Sequence, residues 1–201
     1  MKSYRHQYLK YKRKYLSMKG GNNKLFAEYL ANFMKEHDIA NTQYAIIAGY
    51  CVARITGRIV TDLDVIISKD AYNKLSDAID SSESAAISKT PKLSLETQYG
   101  EIEFFERENT GFPSNTFSLK NLHKNKMLDY DEFDNPFLNT QATILHYADV
   151  KKVGDKLILG EGHEITPERL KKNISHLTLI NNIINDKELD RTIKSLQNLL
   201  N

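Results

Sequence analysis

The stretch IAGYCVARITGRIVTDLDVII, residues 47–67, sets two aspartates, Asp62 and Asp64, among Leu63, Val65, Ile66 and Ile67. Without the aspartates this run reads as a strand buried on both faces. Side chains alternate across a strand, so positions i and i+2 share a face and the two carboxylates stand close enough to repel. Either a positive charge sits between them or water reaches them. Upstream, residues 44–48 read as a short apolar strand ending at Gly49 and residues 50–56 as a short helix. Gly57-Arg58 then makes the turn into the Asp-bearing strand.

Outward from this stretch the element types alternate. Leu25, Phe26, Tyr29, Leu30, Phe33 and Met34 give residues 24–37 a helical period, and residues 70–79 read as a further helix. Residues 93–99 and 101–106 read as two strands joined at Tyr99-Gly100, with SAAIS (84–88) a candidate short strand before them. Residues 109–139, rich in Asn, Asp, Pro and Phe, are expected to be mostly loop around a short helix at 118–123. Helices are expected at 140–152, at 167–184 with Thr166 as N-cap and Pro167 in the first helical position, and at 187–200. A sheet first and helices last is an α+β order. The chain divides into residues 1–22, residues 23–138 as the core, and residues 139–201 as a helical C-terminal region.

The 201 residues, 40% hydrophobic and 27% charged, suffice for one substantial core plus a small appendage. No apolar run approaches the roughly 18 residues that span a bilayer, and no leader pattern opens the chain, so an intracellular protein without membrane contact is expected. The single cysteine, Cys51, excludes an internal disulfide or a cysteine-based zinc site and reads as a small buried hydrophobe. His146 and His176 lie in apolar-periodic segments and read as core or surface histidines.

Charge is unevenly placed. Lys2, Arg5, Lys10, Lys12, Arg13, Lys14, Lys19 and Lys24 precede the first acid, Glu28, which leaves 20 bases against 26 acids in the rest, a net of −6. Tyr4, Tyr8, Tyr11 and Tyr15 recur at spacings of four, three and four, so this arm reads as an amphipathic helix ended by Gly20-Gly21. Two roles are open to it: contact with a nucleic acid, RNA among them, or another anionic surface, with lysines on phosphates and tyrosines free to stack, or a tyrosine stripe packed on the body with the lysines solvated. The second is the expectation, with the lysine face left available for a secondary contact.

Two resemblances follow from these residues. The segment GRIVTDLDVII, preceded by an apolar strand, Gly49 and a short helix, resembles the core of the nucleotidyltransferase superfamily that includes DNA polymerase β, poly(A) polymerases and CCA-adding enzymes. The likeness covers residues 44–106. The arm YRHQYLKYKRKYLSMKGG resembles the start of many proteins of the giant DNA viruses of the mimivirus group, which implies a viral protein in the cytoplasm of an infected cell or packaged in a virion. The first resemblance implies a small mixed sheet flanked by helices. It also implies a two-metal site for Mg2+ or Mn2+, in which Asp62, Asp64 and Glu103 hold the ions that activate a hydroxyl and neutralise a nucleoside triphosphate. Glu101, on the same strand face as Glu103, is a rival third carboxylate. Gly49, Tyr50 and Arg58 are the implied nucleotide-binding residues, Gly49 admitting the triphosphate to the amides that open the helix.

One departure from the family is Tyr50, where a small residue is usual: its ring is expected either to stand in the triphosphate path or to stack on a base. Arg54 shares its helix face, and Lys151, Lys152, Lys171 and Lys172 would suit a substrate backbone or simple solvation. The structural alternative for the aspartates is a solvated strand end or an ion pair to Arg58. The implied activity is template-independent nucleotidyl transfer from an NTP to a hydroxyl of an RNA end, a small molecule or a protein. The rivals are an inactive module of the same fold that binds nucleic acid or protein, and a virion-associated structural protein. Oligomeric state is left open.

Overall fold

The computed structural model describes residues 22–79 and 92–200. The expectations of a basic helical arm and of a strand at SAAIS fall outside those residues. Chain order gives α1 (Asn22–Glu36), β1 (Tyr44–Ile47), α2 (Gly49–Thr56), β2 (Asp62–Ile67), α3 (Lys69–Ala78), β3 (Lys92–Glu96) and β4 (Glu101–Glu106). After a 3-10 turn at Asn115–Phe117 come α4 (Leu119–Lys124), β5 (Leu128–Tyr130), β6 (Pro136–Leu138) and α5 (Thr140–Ala148). The chain closes with β7 (Val150–Val153), β8 (Lys156–Leu159), β9 (His163–Ile165), α6 (Pro167–Ile184) and α7 (Lys187–Asn198).

The architecture is α+β. Six strands form a mixed sheet in the order β3-β4-β2-β1-β6-β5, and β7-β8-β9 form a separate antiparallel sheet. β2 lies between β1, antiparallel to it, and β4, parallel to it. One face of the large sheet is apolar: Leu63, Val65 and Ile67 of β2 with Ile102 and Phe104 of β4 are all buried against Phe26, Leu30 and Met34 of α1. The other face carries Asp62, Asp64, Glu101 and Glu103 towards α5 and α6.

Local signals account for several boundaries. Ser68, Ser118, Asn139, Thr166 and Asp186 each accept a backbone amide from the first turn of the helix they precede, the preferred way to satisfy an orphan helix amide. Two expectations differ from the fold. The segment 109–139 supplies two strands as well as its helix. Pro136 opens β6, a first-strand position that loses no ladder bond, and Phe137 pairs with Ile46 of β1. The helix expected through residue 152 stops at Ala148, and residues 150–165 form the three-stranded sheet instead, turning at Gly154 with φ 60°.

Candidate functional site

The pairing of β2 with β4 decides which side chains meet. Asp62 stands opposite Glu101 and Asp64 opposite Glu103, so alternation puts all four carboxylates, both rivals for the third position included, on one face. Gly100 lets this pairing start so early. A Cβ there would lie 2.1 Å from the Thr61 carbonyl oxygen, to which the Glu101 amide donates at 3.2 Å. On the other side Ile47 of β1 pairs with Asp64, which brings the β1–α2 turn beside the carboxylates.

Electrostatics single out Asp64. Desolvation, then repulsion from Asp62 and Glu103, raises its pKa from 3.8 to about 7, with Arg169 and Lys172 opposing. Glu103 accepts from Lys92 Nζ. Among the described residues no three His, Cys, Asp or Glu side chains are gathered as a metal-binding group. Strand register thus brings Asp62, Asp64 and Glu103 to one face, while their side chains do not close on a common point. Like charges repel, and Glu103 turns to the nearest cation, Lys92. Chemically the set fits Mg2+ or Mn2+, since every donor is a carboxylate oxygen and the repulsion that raises Asp64 is what a divalent cation relieves.

The β1–α2 turn has a strained residue. Ala48 adopts φ 56°, ψ −123° and caps α2 without a side-chain hydrogen bond. Such a conformation costs an L-residue on the order of 1–3 kcal/mol and is typically tolerated where function over-determines the backbone. It leaves the opening amides of α2 without a side-chain acceptor, next to Asp64. The small pair at this turn is therefore Ala48-Gly49, and Tyr50 already lies inside the helix. Its ring is 1% exposed, packs edge-on to Phe137 with centroids 6.1 Å apart, and its hydroxyl donates to Asp131 Oδ2 at 2.9 Å. The ring expected in the triphosphate path is in the core, and only the backbone of Tyr50 faces the turn. Arg58 lies across the turn: Nη2 donates to Gly49 O at 3.4 Å and Nη1 to His176 Nε2 at 3.2 Å. A guanidinium only donates, so His176 carries its proton on Nδ1. Arg58 makes no ion pair with Asp62 or Asp64 among the described residues. Arg54 points outward to Glu132 at 2.9 Å.

Two cations on this face were not singled out from sequence. Arg169 sits in the first turn of α6 and acts on Asp64 across the interface. A basic residue at a helix start runs against the helix dipole, and that anomaly was the legible signal. Arg107 continues the alternation Glu101, Glu103, Phe105, which was the signal for it. Both line a cleft of about 340 Å³ with Asp64, Ile66, Phe105, Phe112 and His146. Larger, more open hollows lie at the far end of α1 and beside α4, and contain none of the four carboxylates.

Comparison with known proteins finds no matching family model, no matching curated protein and no matching solved structure.

Proposed function

We propose that this chain transfers a nucleotidyl group from a nucleoside triphosphate to a hydroxyl acceptor without a template, forming a bond from the α-phosphorus to the acceptor oxygen, breaking the α–β phosphoanhydride and releasing pyrophosphate. The observation that carries the reading is the register Asp62–Glu101 and Asp64–Glu103, set directly beside the uncapped amides of α2. Asp62, Asp64 and Glu103, with Glu101 beside them, would hold Mg2+ or Mn2+, which when bound neutralises phosphate charge and acidifies the attacking hydroxyl. The chain's own part is to position and to balance charge. The amides of Gly49 and Tyr50 donate to phosphate oxygens, Arg58 fixes the turn through the Gly49 carbonyl, and Arg169 and Lys172 add positive charge opposite Asp64. Asp64, about half ionised near pH 7 in the free protein, is placed to take the acceptor proton in its carboxylate form. RNA contact through the lysine-rich arm and a place in an infected cell or virion belong to the same reading and rest on the arm's sequence.

The test is incubation of the full chain with labelled nucleoside triphosphates, Mg2+ or Mn2+, and total RNA or protein. Label should transfer with wild type and not with Asp62→Asn/Asp64→Asn; equal transfer by both would refute the assignment. One observation favours a second reading, an inactive module of this fold: Lys92 already neutralises Glu103. If Lys92 replaces a cation, wild type transfers nothing and Lys92→Met gains Mg2+ affinity by calorimetry. If it does not, Lys92→Met leaves Mg2+ affinity within about twofold.

A further inference from the structure

The cleft beside Asp64 has features that metal binding does not use. It follows the sheet face from Asp64 past Ile66 and Phe105 to Arg107. Ile66 and Phe105 are register partners and Arg107 lies two positions beyond on the same face, so the floor is roughly 13 Å long. Phe112, His146 and Arg169 close it from the other side. Its volume lies near the lower end of small-molecule sites, which suits one compact unit and excludes an extended chain.

Three polar groups here have hydrogen-bonding capacity that no partner among the described residues takes up. Arg107 and Arg169 are half-buried, and neither guanidinium makes an ion pair or hydrogen bond among the described residues. Glu106 acts on Arg107 and Asp64 on Arg169 from beyond ion-pair distance, so two partly desolvated guanidiniums on one cleft keep donors available for an anion. His146 is 2% exposed and its Nδ1 is buried without a hydrogen-bond partner. Desolvation first, then Arg169 and His176, lowers its pKa to about 3, so the ring is neutral and offers one donor and one acceptor. Between these ends the surface is apolar and aromatic.

We infer that this cleft holds one nucleoside monophosphate unit, its heterocycle between Phe105 and Phe112 within reach of His146 and its phosphate on Arg107 and Arg169. The inference deepens the proposed function, since it supplies the nucleotide subsite next to the carboxylates, but binding here needs neither metal nor turnover. The unit belongs either to the donor triphosphate or to the terminal nucleotide of an acceptor.

Calorimetry on the full chain in EDTA tests it, with nucleoside 5′-monophosphates, the matching nucleosides and inorganic phosphate as probes. At least one monophosphate should bind about tenfold or more tighter than its nucleoside and than phosphate, as charge-assisted hydrogen bonds to arginine imply. Arg107→Gln should lose that advantage. Phe112→Ala should weaken the monophosphate and leave phosphate unchanged, with melting temperature confirming that both variants fold. Equal binding of nucleoside and monophosphate, equal binding of phosphate and monophosphate, or no effect of Arg107→Gln would overturn the inference. Competition by a nucleoside triphosphate assigns the unit to the donor, and competition by a short oligoribonucleotide to the acceptor. Monophosphate binding without label transfer removes the enzymatic reading and keeps the subsite; transfer without monophosphate binding does the reverse.

Discussion

At the scale of single residues, Asp64 concentrates the opposing forces of the site, and they make stability depend on pH. Its folded pKa of about 7 lies above the ordinary 3.8, so between those values the folded chain holds a proton that the unfolded chain has released. Stability therefore falls as pH rises through that window, by up to about 1.4 kcal/mol per unit, and levels off above about pH 7. His146 and His176 act the other way. Desolvation holds their folded values at about 3 and about 4, below 6.5, so their contribution grows as pH rises to about 6.5. Asp64→Asn removes only the first effect. Melting temperatures from pH 4 to 8 should show the variant gaining on wild type up to pH 7 and running parallel above it; a constant offset throughout would mean that Asp64 titrates normally. Ala48 gives a second prediction. Glycine adopts φ 56° without the penalty that alanine bears, so Ala48→Gly should stabilise by about 1 kcal/mol after the extra unfolded-state entropy of glycine is subtracted. In a chain this long that raises the melting temperature by about 2–4 °C. A lower melting temperature would show that the turn is unstrained.

At the scale of elements, the carboxylate face depends on how closely the start of β4 approaches β2. A Cβ on Gly100 would meet Thr61 O at 2.1 Å and Phe26 Cε1 at 2.8 Å, so Gly100→Ala must push the strand start outward. The expected cost is on the order of 1–3 kcal/mol, with Mg2+ affinity falling alongside stability because Glu101 and Glu103 move with the strand. Unchanged Mg2+ affinity in a destabilised variant would place the metal ligands elsewhere. This part of the site was legible because it depends on period-two alternation: Asp62 with Asp64 and Glu101 with Glu103 must share faces whatever surrounds them. The direction of Tyr50 was not legible. It depends on which residue of the turn takes positive φ, and that residue is Ala48 rather than Gly49. The strands β7 to β9 were illegible for a different reason. Lys151, Lys152 and Val153 are exposed, so no alternation of apolar residues marks β7 or interrupts the helical period of residues 140–148. Gly154-Asp155 is the turn signal that ends β7. β6 escaped because three residues opened by a proline carry too little pattern to identify a strand.

At the scale of the whole molecule, α2 joins two cores. Tyr50, Cys51 and Ala53 pack with the large sheet, whereas Val52, fully buried, packs with Tyr147, Leu170, Ile174 and Leu177 of α5 and α6. Polar bonds reinforce this seam: Arg58 reaches His176 at 3.2 Å, and Asn173 Nδ2 donates to Tyr147 O at 3.2 Å. A helix that carries core residues of both clusters cannot release one without exposing the other, so the described body should unfold in a single transition. Val52→Ala removes two methyl groups from the second cluster and should cost on the order of 2 kcal/mol, part transfer and part cavity. Calorimetry should show that variant melting lower, still in one transition with equal calorimetric and van 't Hoff enthalpies; two resolved transitions in wild type would show that the cores fold independently. The charge balance at Asp64 depends on the same seam, because α6 presents Arg169 and Lys172 to Asp64 only while it stays docked on α2. Val52→Ala should therefore weaken monophosphate binding in EDTA together with stability, although Val52 does not line the cleft.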